Sequence, residues 1–496
     1  MIPNMALVSV YNKEGIENFC AALYDADIKM FSTGGTAERI KNLGIPVRKV
    51  EEITGFSELM DGRIKTLHTS IYAGIMARRG SSDMKELTEK KIIPIDMVVC
   101  NFYSPEVGMD RMDIGGPCMV RAAAKNWKDV VVVSHPSQYS ALVPYLKKGF
   151  DDEMRKKLAI EAIHRTSYYD ARIIEIEDNE NFPEIITLPY KKSKELRYGE
   201  NPHQKGAFYT GMTKESCIAS AKKLQGKEIS YNNILDANEA IECIKEFEEP
   251  TVVIIKHATP SGIASAGNVI QAWKDAFATD EYSPFGGVVA VNREVDGGLA
   301  EKMTKIFLEV IIAPSFSSDA KEILAKKKNL RLLQVEGLER ADGKERRVFR
   351  SVVGGLLMQE RDIKKIDTGK WRTVTEKKPS QDNIQSMIFA VKCVKHVKSN
   401  AVVFVKGTKT VAIGGGQTSR VDASWIAVHK GEKKIKDSIM ASDAFFPFRD
   451  AVDVAAEAGV KAIIQPGGSI RDKEVVEAAN EHGIAMVFSG QRYFLH

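Results

Sequence analysis

The sequence predicts an α/β protein with more than one domain, and three observations support this. Short apolar runs rich in β-branched residues alternate with amphipathic helices through the first third of the chain. This alternation is typical of a parallel sheet covered by helices on both faces. It resumes after an acidic, then proline-containing, then lysine-rich stretch at 178–193. The chain has 496 residues, too many for one hydrophobic core, which predicts two to four domains.

The apolar runs give the order of the elements. In the first third we predict helices at 14–25 and 37–43, and strands at 6–10, 28–31, 97–101 and 130–134. Further along we predict strands at 252–255, 287–291, 310–313, 401–405, 411–413 and 462–465. We therefore expect a domain at 1–190 and a second at 191–496, which a polar stretch at 361–378 divides in two. No internal repeat is convincing at the level of single residues.

Composition argues against several classes of protein. The chain is 44% apolar and 28% charged, as expected for a folded soluble protein, and no apolar run approaches the roughly 18 residues of a membrane span. The N-terminus lacks the features of a signal peptide, and the six cysteines are scattered without a CxxC pair. We therefore expect a cytoplasmic protein with reduced thiols and no structural zinc site. A net charge of +5, without an aromatic-interleaved basic stripe, argues against nucleic acid as a partner.

The most informative stretch is Lys256-His257-Ala258-Thr259-Pro260-Ser261-Gly262. It follows the apolar run 251–255, which predicts a buried parallel strand, and its proline, serine and glycine predict a turn. Ligands bind at the carboxyl ends of strands in open α/β sheets, and a histidine beside a lysine can exchange protons near neutral pH. Taken alone, the same pattern equally fits a strand end with two solvated polar residues.

The first third contains three further candidate sites. Ser32-Thr33-Gly34-Gly35-Thr36 lies between a strand and a helix and can hold a phosphate, although an ordinary capped turn has the same pattern. The GxxxxGK[ST] signature of ATP-hydrolysing loops is missing from the sequence. The second candidate is the polar stretch 61–68. The third is the stretch 113–125, where Asp113 precedes a predicted helix that carries Arg121 and Lys125. An Asp–Lys pair there serves either as a proton relay or as a plain salt bridge.

The remainder contains several polar or glycine-rich strings at predicted strand ends. Each string alone also fits a turn or a cap without a ligand. They are 196–204, 230–233, 283–287, 398–400, 414–420, the aromatic loop 442–448 and 465–469. The aromatic loop predicts either a satellite core or a surface on which a flat heterocycle stacks.

Together these strings resemble the bifunctional purine-biosynthesis enzymes AICAR transformylase/IMP cyclohydrolase over nearly the whole chain. The strings that carry the resemblance are STGGT, GRIKTLH, DIGGP with RAAAKN, LRYGENPHQ, KHATPSG, SNA, GGGQTSR, SDAFFPF and IIQPGGS. The resemblance implies an N-terminal methylglyoxal-synthase-like doubly wound domain and a C-terminal transformylase of two cytidine-deaminase-like subdomains. It also implies the last two steps of IMP synthesis: formyl transfer from 10-formyltetrahydrofolate to the 5-amino group of AICAR, then dehydrative cyclisation of FAICAR.

For formyl transfer, the resemblance implies that His257 takes the proton, that Lys256 stabilises the oxyanion or protonates the leaving nitrogen, and that Asn400 polarises the formyl group. The AICAR contacts it implies are Arg197, Tyr198, Gly286, Glu309, Arg420 and Arg492. The folate contacts it implies are Val421, Phe445, Asp450, Ser469 and Ile470. The family often has Asp at the position of Glu309.

For cyclisation, the resemblance implies Lys125 as general acid/base, assisted by Lys65, Tyr103 and Asp113. The substrate contacts it implies are Asn12, Lys13, Thr33, Gly34, Gly35, Thr36, Arg63, Thr66, Asn101 and Ile114. Folate is the cosubstrate, and we expect no metal or redox cofactor, because the zinc signature of deaminases is missing. The family also implies a homodimer acting on small molecules, with no nucleic-acid or membrane partner.

Three departures concern the cyclohydrolase half or the KHATPSG string: Thr69 after the leucine and histidine of KTLH, Ser104 after Tyr103, and Thr259-Pro260-Ser261 in place of the family's Asn-Pro-Cys. The segment between Tyr103 and Asp113 is also short. Two alternatives follow, an active transformylase with a degenerate N-terminal domain and an N-terminal nucleotide sensor. The joint presence of Lys65, Tyr103, Asp113 and Lys125 favours catalysis, because a sensor needs phosphate ligands but no proton relay.

Overall fold

A computed structural model describes residues 1–57, 60, 64–338 and 347–496. The chain forms two compact units, Met1–Tyr190 and Lys191–His496. Arg63 lies outside the described residues, as do Asp61 and Gly62 of the string around it.

The first unit is built on a five-stranded, all-parallel sheet. Its strands are β1 (Met5–Val10), β2 (Lys29–Ser32), β3 (Arg48–Lys49), β4 (Met97–Asn101) and β5 (Val131–Val133), in the order β3-β2-β1-β4-β5. Its helices are α1 (Ile16–Asp25), α2 (Gly34–Asn42), α3 (Glu51–Thr54), α4 (Thr69–Met76), α5 (Ser82–Glu89), α6 (Gly115–Lys125), α7 (Tyr139–Lys148) and α8 (Asp152–Glu177). The alternation of strand and helix predicted from the sequence is confirmed.

The order of the strands decides where a ligand can bind in this unit. The chain leaves β1 toward β2 and β3 on one side, and β4 and β5 lie on the other side of β1. The strand order therefore reverses beside β1, and the crevice outside the carboxyl ends of the strands at such a point is the usual ligand site of an open parallel sheet. The loops that follow β1, β2 and β4 all open there.

The second unit has a twelve-stranded mixed sheet and two separate hairpins. Its first part contains β6 (Lys191–Leu196), β7 (Gly206–Thr210), β8 (Lys222–Gln225), α9 (Tyr231–Ile244), β9 (Thr251–Lys256), β10 (Thr259–Ser265), α10 (Val269–Phe277), β11 (Gly287–Val291), α11 (Gly297–Met303), β12 (Leu308–Ala313), α12 (Ser318–Ala325), β13 (Arg331–Gln334), β14 (Arg347–Val352) and β15 (Gly355–Glu360). Its second part contains β16 (Arg372–Thr373), α13 (Gln381–Val394), β17 (Val402–Lys406), β18 (Lys409–Gly414), α14 (Arg420–Gly431), β19 (Ile439–Ser442), α15 (Asp450–Glu457), β20 (Ala462–Gln465), α16 (Asp472–Glu481) and β21 (Ala485–Phe488).

The large sheet consists of two halves with the same topology. Its order is β16-β21-β20-β19-β17-β18-β10-β9-β11-β12-β13-β8, with β18 and β10 meeting in the middle. Outward from the middle, each half has an antiparallel hairpin, an antiparallel neighbour, two parallel steps and an antiparallel edge strand. β6 with β7 and β14 with β15 form the two separate hairpins.

The expectation that no repeat exists at the level of single residues is wrong. Ser230 and Asn233 form the capping box of α9, and Ser380 and Asn383 form the same box at α13. Glu246 and His396 are also 150 residues apart, and they hydrogen-bond to each other. It further relates Cys243 to Cys393 and Lys256 to Lys406. The repeat is weak in the sequence because most matched core positions exchange one apolar residue for another, which packing tolerates.

The predicted direction of the central strand β9 is also wrong. β9 pairs antiparallel with both β10 and β11. Its continuous apolar run arises because helices cover both faces of the sheet, and burial on two faces does not depend on strand direction. The predicted turn at 260–262 is likewise strand, within β10. Gly262 permits helix packing there, since a Cβ at this position would lie 2.0 Å from the carbonyl oxygen of Ala276 in α10.

Glu246 links the ends of α9 and α13, and we expect this link to make stability depend on pH. Lys395 Nζ lies 2.8 Å and His396 Nε2 3.3 Å from Glu246 Oε1. Burial alone raises the pKa of Glu246, but the hydrogen bond and charge of His396 and the charge of Lys395 outweigh it and lower the pKa from 4.5 to about 2. The folded pKa is depressed, so the stabilisation is full above about pH 4.5 and is lost as pH falls toward 2.

Glu246→Gln should therefore lower the free energy of unfolding of the second unit by about 2–3 kcal/mol at pH 7. The difference from the wild type should shrink steadily between pH 5 and pH 3. Urea unfolding followed over that range measures it, with the exposed Glu248→Gln as the matched control. A difference that does not change with pH would contradict the assignment of the shift to Glu246.

Candidate functional site

The first candidate site lies at the carboxyl ends of β1, β2 and β4. Asn101 ends β4, is buried, and ties the loop after β1 in place. Its Oδ1 accepts hydrogen bonds from the backbone N–H groups of Tyr11 and Asn12, both at 2.8 Å, and its Nδ2 donates to the carbonyl oxygen of Asn12 at 2.9 Å. Asn101 therefore uses both ends of its amide to shape the loop that carries Asn12 and Lys13.

The loop after β2 presents backbone N–H groups at the start of α2. Thr33 precedes the helix, and its hydroxyl bonds Ser9 at 2.9 Å, so it does not cap the helix. The Thr36 hydroxyl donates to the carbonyl oxygen of Val10 at 3.1 Å. These contacts fix the loop against β1 while Gly34 and Gly35, partly or fully exposed, lead into the helix. Free N–H groups at a helix N-terminus favour a phosphate.

The carboxylate of Asp113 lies at the start of α6 and is held by backbone N–H groups. It accepts from the N–H of Gly116 at 2.8 Å and from the N–H of Tyr103 at 3.4 Å, and its own N–H donates to the Tyr169 hydroxyl at 2.8 Å. Burial raises its pKa, although those two N–H groups and the charge of Lys65 act in the opposite direction. Lys65, Tyr103 and Asp113 are thus brought together.

Thr66 lies beside the start of α6. A Cβ on Gly115 would lie 2.5 Å from the Thr66 hydroxyl, so the small residue allows this close approach. Ile114 is the residue before α6 and is about half exposed at the same end of the helix. Thr66 and Ile114 therefore border the Asp113 group, and their predicted contacts with substrate stay predictions.

Lys125 lies at the opposite end of α6 from the group around Asp113. It is the last residue of α6 and is exposed, whereas Asp113 precedes the first residue of that helix. A helix rises about 1.5 Å per residue, which separates the two ends of α6 by about 15 Å. Arg121, on the same helix, lies 3.7 Å from Asp170. Within one unit the structure does not join Lys125 to the group around Asp113.

Tyr11 is a residue that sequence reasoning missed. Its ring contacts that of Tyr103 edge to face, with centroids 5.2 Å apart, and both rings are partly exposed. Tyr11 therefore restrains Tyr103 and offers a second aromatic surface beside it. It follows directly after β1 in a string that otherwise reads as an ordinary strand end, so no sequence signal marked it.

The second candidate site is a cavity of about 290 Å³ at the junction of the two halves of the large sheet. Lys256 and His257 line it from the first half, with Asp280 and Ser283 near them, and Gln417 and Lys430 line it from the second half. Lys430 Nζ lies 3.1 Å from Asp280 Oδ2, which joins the halves across the cavity. Lys256, His257, Asp280 and Lys430 give the lining its charged and titratable groups, while apolar atoms make up the larger share of its surface.

Lys256 is held with one donor to spare. Its Nζ donates to the carbonyl oxygens of Phe285 and Gly286, each at 3.0 Å. An ammonium group has three N–H donors, so among the described residues one remains for a ligand. Gly286 has φ +70, and a Cβ there would lie 3.1 Å from Lys256 Nζ, so glycine gives the ammonium its room.

Asn400 lies behind Gln417, which lines the cavity. Its Nδ2 donates to the carbonyl oxygen of Gln417 at 3.0 Å, and its Oδ1 accepts from Arg420 at 2.9 Å. Arg420 is buried against the fully buried Asp443 and also donates to the Ser442 hydroxyl and to the carbonyl oxygen of Phe445. Arg420 thus orients Asn400 from behind, where sequence reasoning expected a direct substrate contact.

The other predicted AICAR contacts lie outside the residues that line this cavity. Arg197 is exposed and lies over the Tyr198 ring at 5.7 Å, and Arg492 is exposed and lies over Phe494 at 4.5 Å. The C-terminal tail still reaches the site, because Ser399 and Leu495 exchange hydrogen bonds beside Asn400. Glu309 forms an ion pair with Arg331 on the neighbouring strand.

The predicted folate contacts lie around the carboxyl ends of β19 and β20 and the start of α14. Val421 follows Arg420 in α14, Asp450 begins α15, and Ser469 lies in the loop after β20, where Asp472 accepts from its N–H at 3.1 Å. Ile470 and Phe445 are exposed. In the aromatic loop, Phe446 is fully buried in the core, which fits the predicted satellite core, while Phe445 and Phe448 are exposed, and stacking of a heterocycle on them stays a prediction.

The described residues contain neither a metal-binding cluster nor a membrane-spanning helix. Within the ranges 1–57, 60, 64–338 and 347–496, no set of three or more His, Cys, Asp or Glu side chains is grouped so as to hold a metal ion. No helix of this part of the chain has the length and apolar character needed to cross a bilayer. All six cysteines are free.

Comparison with known proteins assigns the family. A model of the AICARFT/IMPCHase bienzyme family matches residues 123–430, and a model of the MGS-like domain matches residues 15–124. This chain belongs to the AICARFT/IMPCHase bienzyme family. The bifunctional purine biosynthesis protein PurH of Acetivibrio thermocellus is 46% identical over 510 residues, and that of Magnetococcus marinus is 45% identical over 526 residues. Each match covers 99% of both chains.

A solved structure is also similar to part of the bienzyme. The chain described as "Crystal structure of ForH" has 32% sequence identity and a TM-score of 0.33, covering 35% of this chain and 98% of that one. Family membership confirms the predicted fold class, an MGS-like N-terminal domain with a second α/β domain. It also confirms the predicted activities, AICAR formyltransferase and IMP cyclohydrolase, with a folate-type formyl donor. The likeness to cytidine deaminases stays a prediction.

Proposed function

We propose that the bienzyme performs formyl transfer in the cavity between the halves of its large sheet and cyclisation at the carboxyl edge of its five-stranded sheet. The formyl donor is 10-formyltetrahydrofolate. Domain 191–496 carries out formyl transfer, and domain 1–190 carries out cyclisation. One observation supports this most directly. Lys256 and His257 of the first half line the same cavity as Gln417 of the second half, and the carbonyl oxygen of Gln417 accepts a hydrogen bond from Asn400.

In formyl transfer, the 5-amino nitrogen of AICAR attacks the formyl carbon of the folate. That nitrogen is a weak nucleophile because its lone pair is delocalised into the ring, so His257 takes a proton from it as the N–C bond forms. The remaining N–H of Lys256 and the amide of Asn400 stabilise the oxyanion of the tetrahedral intermediate. The intermediate collapses when the bond to N10 of the folate breaks, and N10 receives the proton.

In cyclisation, the carboxamide nitrogen of FAICAR attacks its formyl carbon, and water leaves. The phosphate lies at the start of α2, and the ribose lies near Asn12 and Asn101. Asp113 accepts the proton of the attacking amide, and Lys65 protonates the formyl oxygen, which gives a carbinolamine. Asp113 then returns its proton to this hydroxyl, which leaves as water, while the former formamide nitrogen gives its proton to Lys65 and the ring C=N bond forms. Tyr103, restrained by Tyr11, orients the ring between them. Holding both reacting groups of one molecule in contact supplies most of the acceleration such a step needs.

We also propose that the bienzyme is a homodimer in the cytoplasm, and the β14–β15 hairpin supports the dimer. Two-stranded hairpins are marginally stable in water, yet this one exposes Val348, Val352, Leu356 and Leu357. An exposed apolar hairpin of this kind is stabilised when a second copy of the chain covers it.

Leu357→Asp should therefore weaken dimerisation at least tenfold, because a side chain 59% exposed in the single chain would bring a charge into an apolar interface. Sedimentation velocity over a concentration series measures this. Ser351→Asp, on the same hairpin, is the control and should change dimerisation less. A wild-type protein that sediments as a monomer at micromolar concentration would contradict the proposal.

The test of function is an assay on the purified wild-type chain, first with AICAR and the folate as substrates and then with FAICAR alone. AICAR and 10-formyltetrahydrofolate are supplied, and the release of tetrahydrofolate and of IMP is followed. Turnover of both supports the proposal. Folate turnover with accumulation of FAICAR would leave only the transformylase, and supplying FAICAR directly checks whether the first unit is inactive. No folate turnover in folded protein would contradict the assignment of Lys256 and His257.

A further inference from the structure

The turn that carries His257 has a backbone conformation that its residues disfavour. β9 and β10 pair through Lys256 and Thr259, so His257 and Ala258 alone form the connection. Both have positive φ, +53 for His257 and +54 for Ala258. Two-residue hairpins take this shape readily, but with Asn or Gly, since a Cβ in the left-handed region costs free energy.

The second half of the large sheet has an equivalent connection, which carries none of the candidate site residues. β17 and β18 pair through Lys406 and Lys409, and the connection is Gly407-Thr408. Gly407 takes the positive φ, +58, and glycine does so without steric cost. The half with the catalytic histidine therefore maintains a strained turn that its counterpart avoids, and strain of this kind persists only where surrounding contacts impose it.

Asp236 provides such a contact. It lies on α9, half buried, and its Oδ1 accepts from the N–H of Ala258 at 2.7 Å. The His257 N–H and the charges of His257 and Lys256 also act on this carboxylate. The corresponding position on α13 is Ser386, whose own turn has glycine and needs no such support.

We propose that Asp236 is a positioning residue for formyl transfer: by accepting the backbone N–H groups of the His257–Ala258 turn, it holds that turn left-handed and places the His257 imidazole at the cavity. The inference rests on the proposed role of His257. It assigns no proton transfer to Asp236. Without the carboxylate, the turn relaxes toward negative φ, and the imidazole occupies its reactive position for only a fraction of the time.

The test is a set of full-length variants: Asp236→Ala, the double variant Asp236→Ala with Ala258→Gly, and Ser386→Ala as the matched control. Asp236→Ala should lower kcat for formyl transfer about 10- to 100-fold, with KM for AICAR changed less than threefold, because an N–H left without its acceptor shifts the turn. Ala258→Gly in that background should recover about tenfold, since glycine takes positive φ freely. Ser386→Ala should stay within about twofold of the wild type, because its turn has a glycine.

Three outcomes would overturn the proposal. They are a wild-type kcat in Asp236→Ala, a loss that Ala258→Gly does not recover at equal melting temperature, and an equal loss in Ser386→Ala. If Asp236→Ala does not fold, Asp236→Asn, which keeps one acceptor oxygen, is measured in its place. Cyclisation of supplied FAICAR reports on the other unit and should be unchanged.

Hydrogen exchange separates this proposal from the proposed function. Amide protection in the 254–260 hairpin should fall in Asp236→Ala and return in the double variant, and this readout needs no activity. If the wild type does not transfer formyl groups but protection behaves as expected, the proposed function has failed while the structural role of Asp236 stands. If protection does not change, the role of Asp236 has failed whatever the activity.

Discussion

His257→Ala should abolish formyl transfer while leaving cyclisation intact. A positioned general base contributes about 10²- to 10⁴-fold, so we expect kcat for folate turnover to fall by that factor. The imidazole lines the cavity beside an ammonium group whose position Phe285 and Gly286 fix, and the described residues lining that cavity include no second histidine. The measurement is tetrahydrofolate release at saturating AICAR.

The control for this variant is His429→Ala, an exposed histidine near the end of α14. It should leave both activities within about twofold of wild type, as is usual for surface substitutions. Cyclisation of supplied FAICAR should be unchanged in both variants, because we propose that it takes place in the other unit. Retention of more than a tenth of kcat in His257→Ala would show that another group is the base.

The conformation of the turn adds a second, independent measurement at the same residue. His257→Gly should be as inactive as His257→Ala but more stable than it by about 1 kcal/mol, because only glycine takes φ +53 without steric cost. Equal stability of the two variants would mean that the turn does not stay left-handed in solution. The comparison also separates loss of chemistry from loss of folding.

The positions of the strands could be predicted from the sequence because burial on both faces requires unbroken apolar runs. β11 and β20 begin and end as predicted, β1 begins one residue before the predicted start, and β9 extends one residue beyond the predicted strand at each end. Strand direction could not be predicted in the same way. A fully buried strand needs the same residues whether its neighbours are parallel or antiparallel, and the chemistry of a two-residue connection decides between them. His257-Ala258 lacks the glycine that normally marks such a connection.

The candidate sites were predictable where their residues are contiguous and polar at a strand end, as at 32–36 and 256–257. They were not predictable where one side chain acts from a distant element. Asp236 and Asp443 reach their sites from a helix face and from the loop after β19, and each looks in the sequence like an ordinary polar residue. Arg420 shows the converse, since the resemblance implies an AICAR contact for it, yet its side chain is buried and paired with Asp443.

Asp113→Asn should block cyclisation, so that FAICAR accumulates while folate turnover continues. The half-buried carboxylate lies near Lys65 and accepts one backbone N–H on each oxygen, and an asparagine can keep the shorter bond, from Gly116, through its Oδ1 but cannot accept a proton. The start of α6 should therefore stay folded while kcat for cyclisation falls about 10²- to 10³-fold. Absorbance of IMP after addition of FAICAR measures this.

The pH profile tests the same assignment by another route. Burial raises the pKa of Asp113, and in the proposed mechanism cyclisation needs the ionised carboxylate, so the wild-type rate should fall with decreasing pH at values above those of an ordinary aspartate. Asp113→Asn should remove this acid limb along with the rate, whereas Asp110→Asn, an exposed neighbour, should preserve both. Lys125→Ala then distinguishes the two candidates for the base. If Lys125→Ala loses cyclisation and Asp113→Asn does not, the chemistry belongs to the far end of α6, and the group around Asp113 only supports the loop.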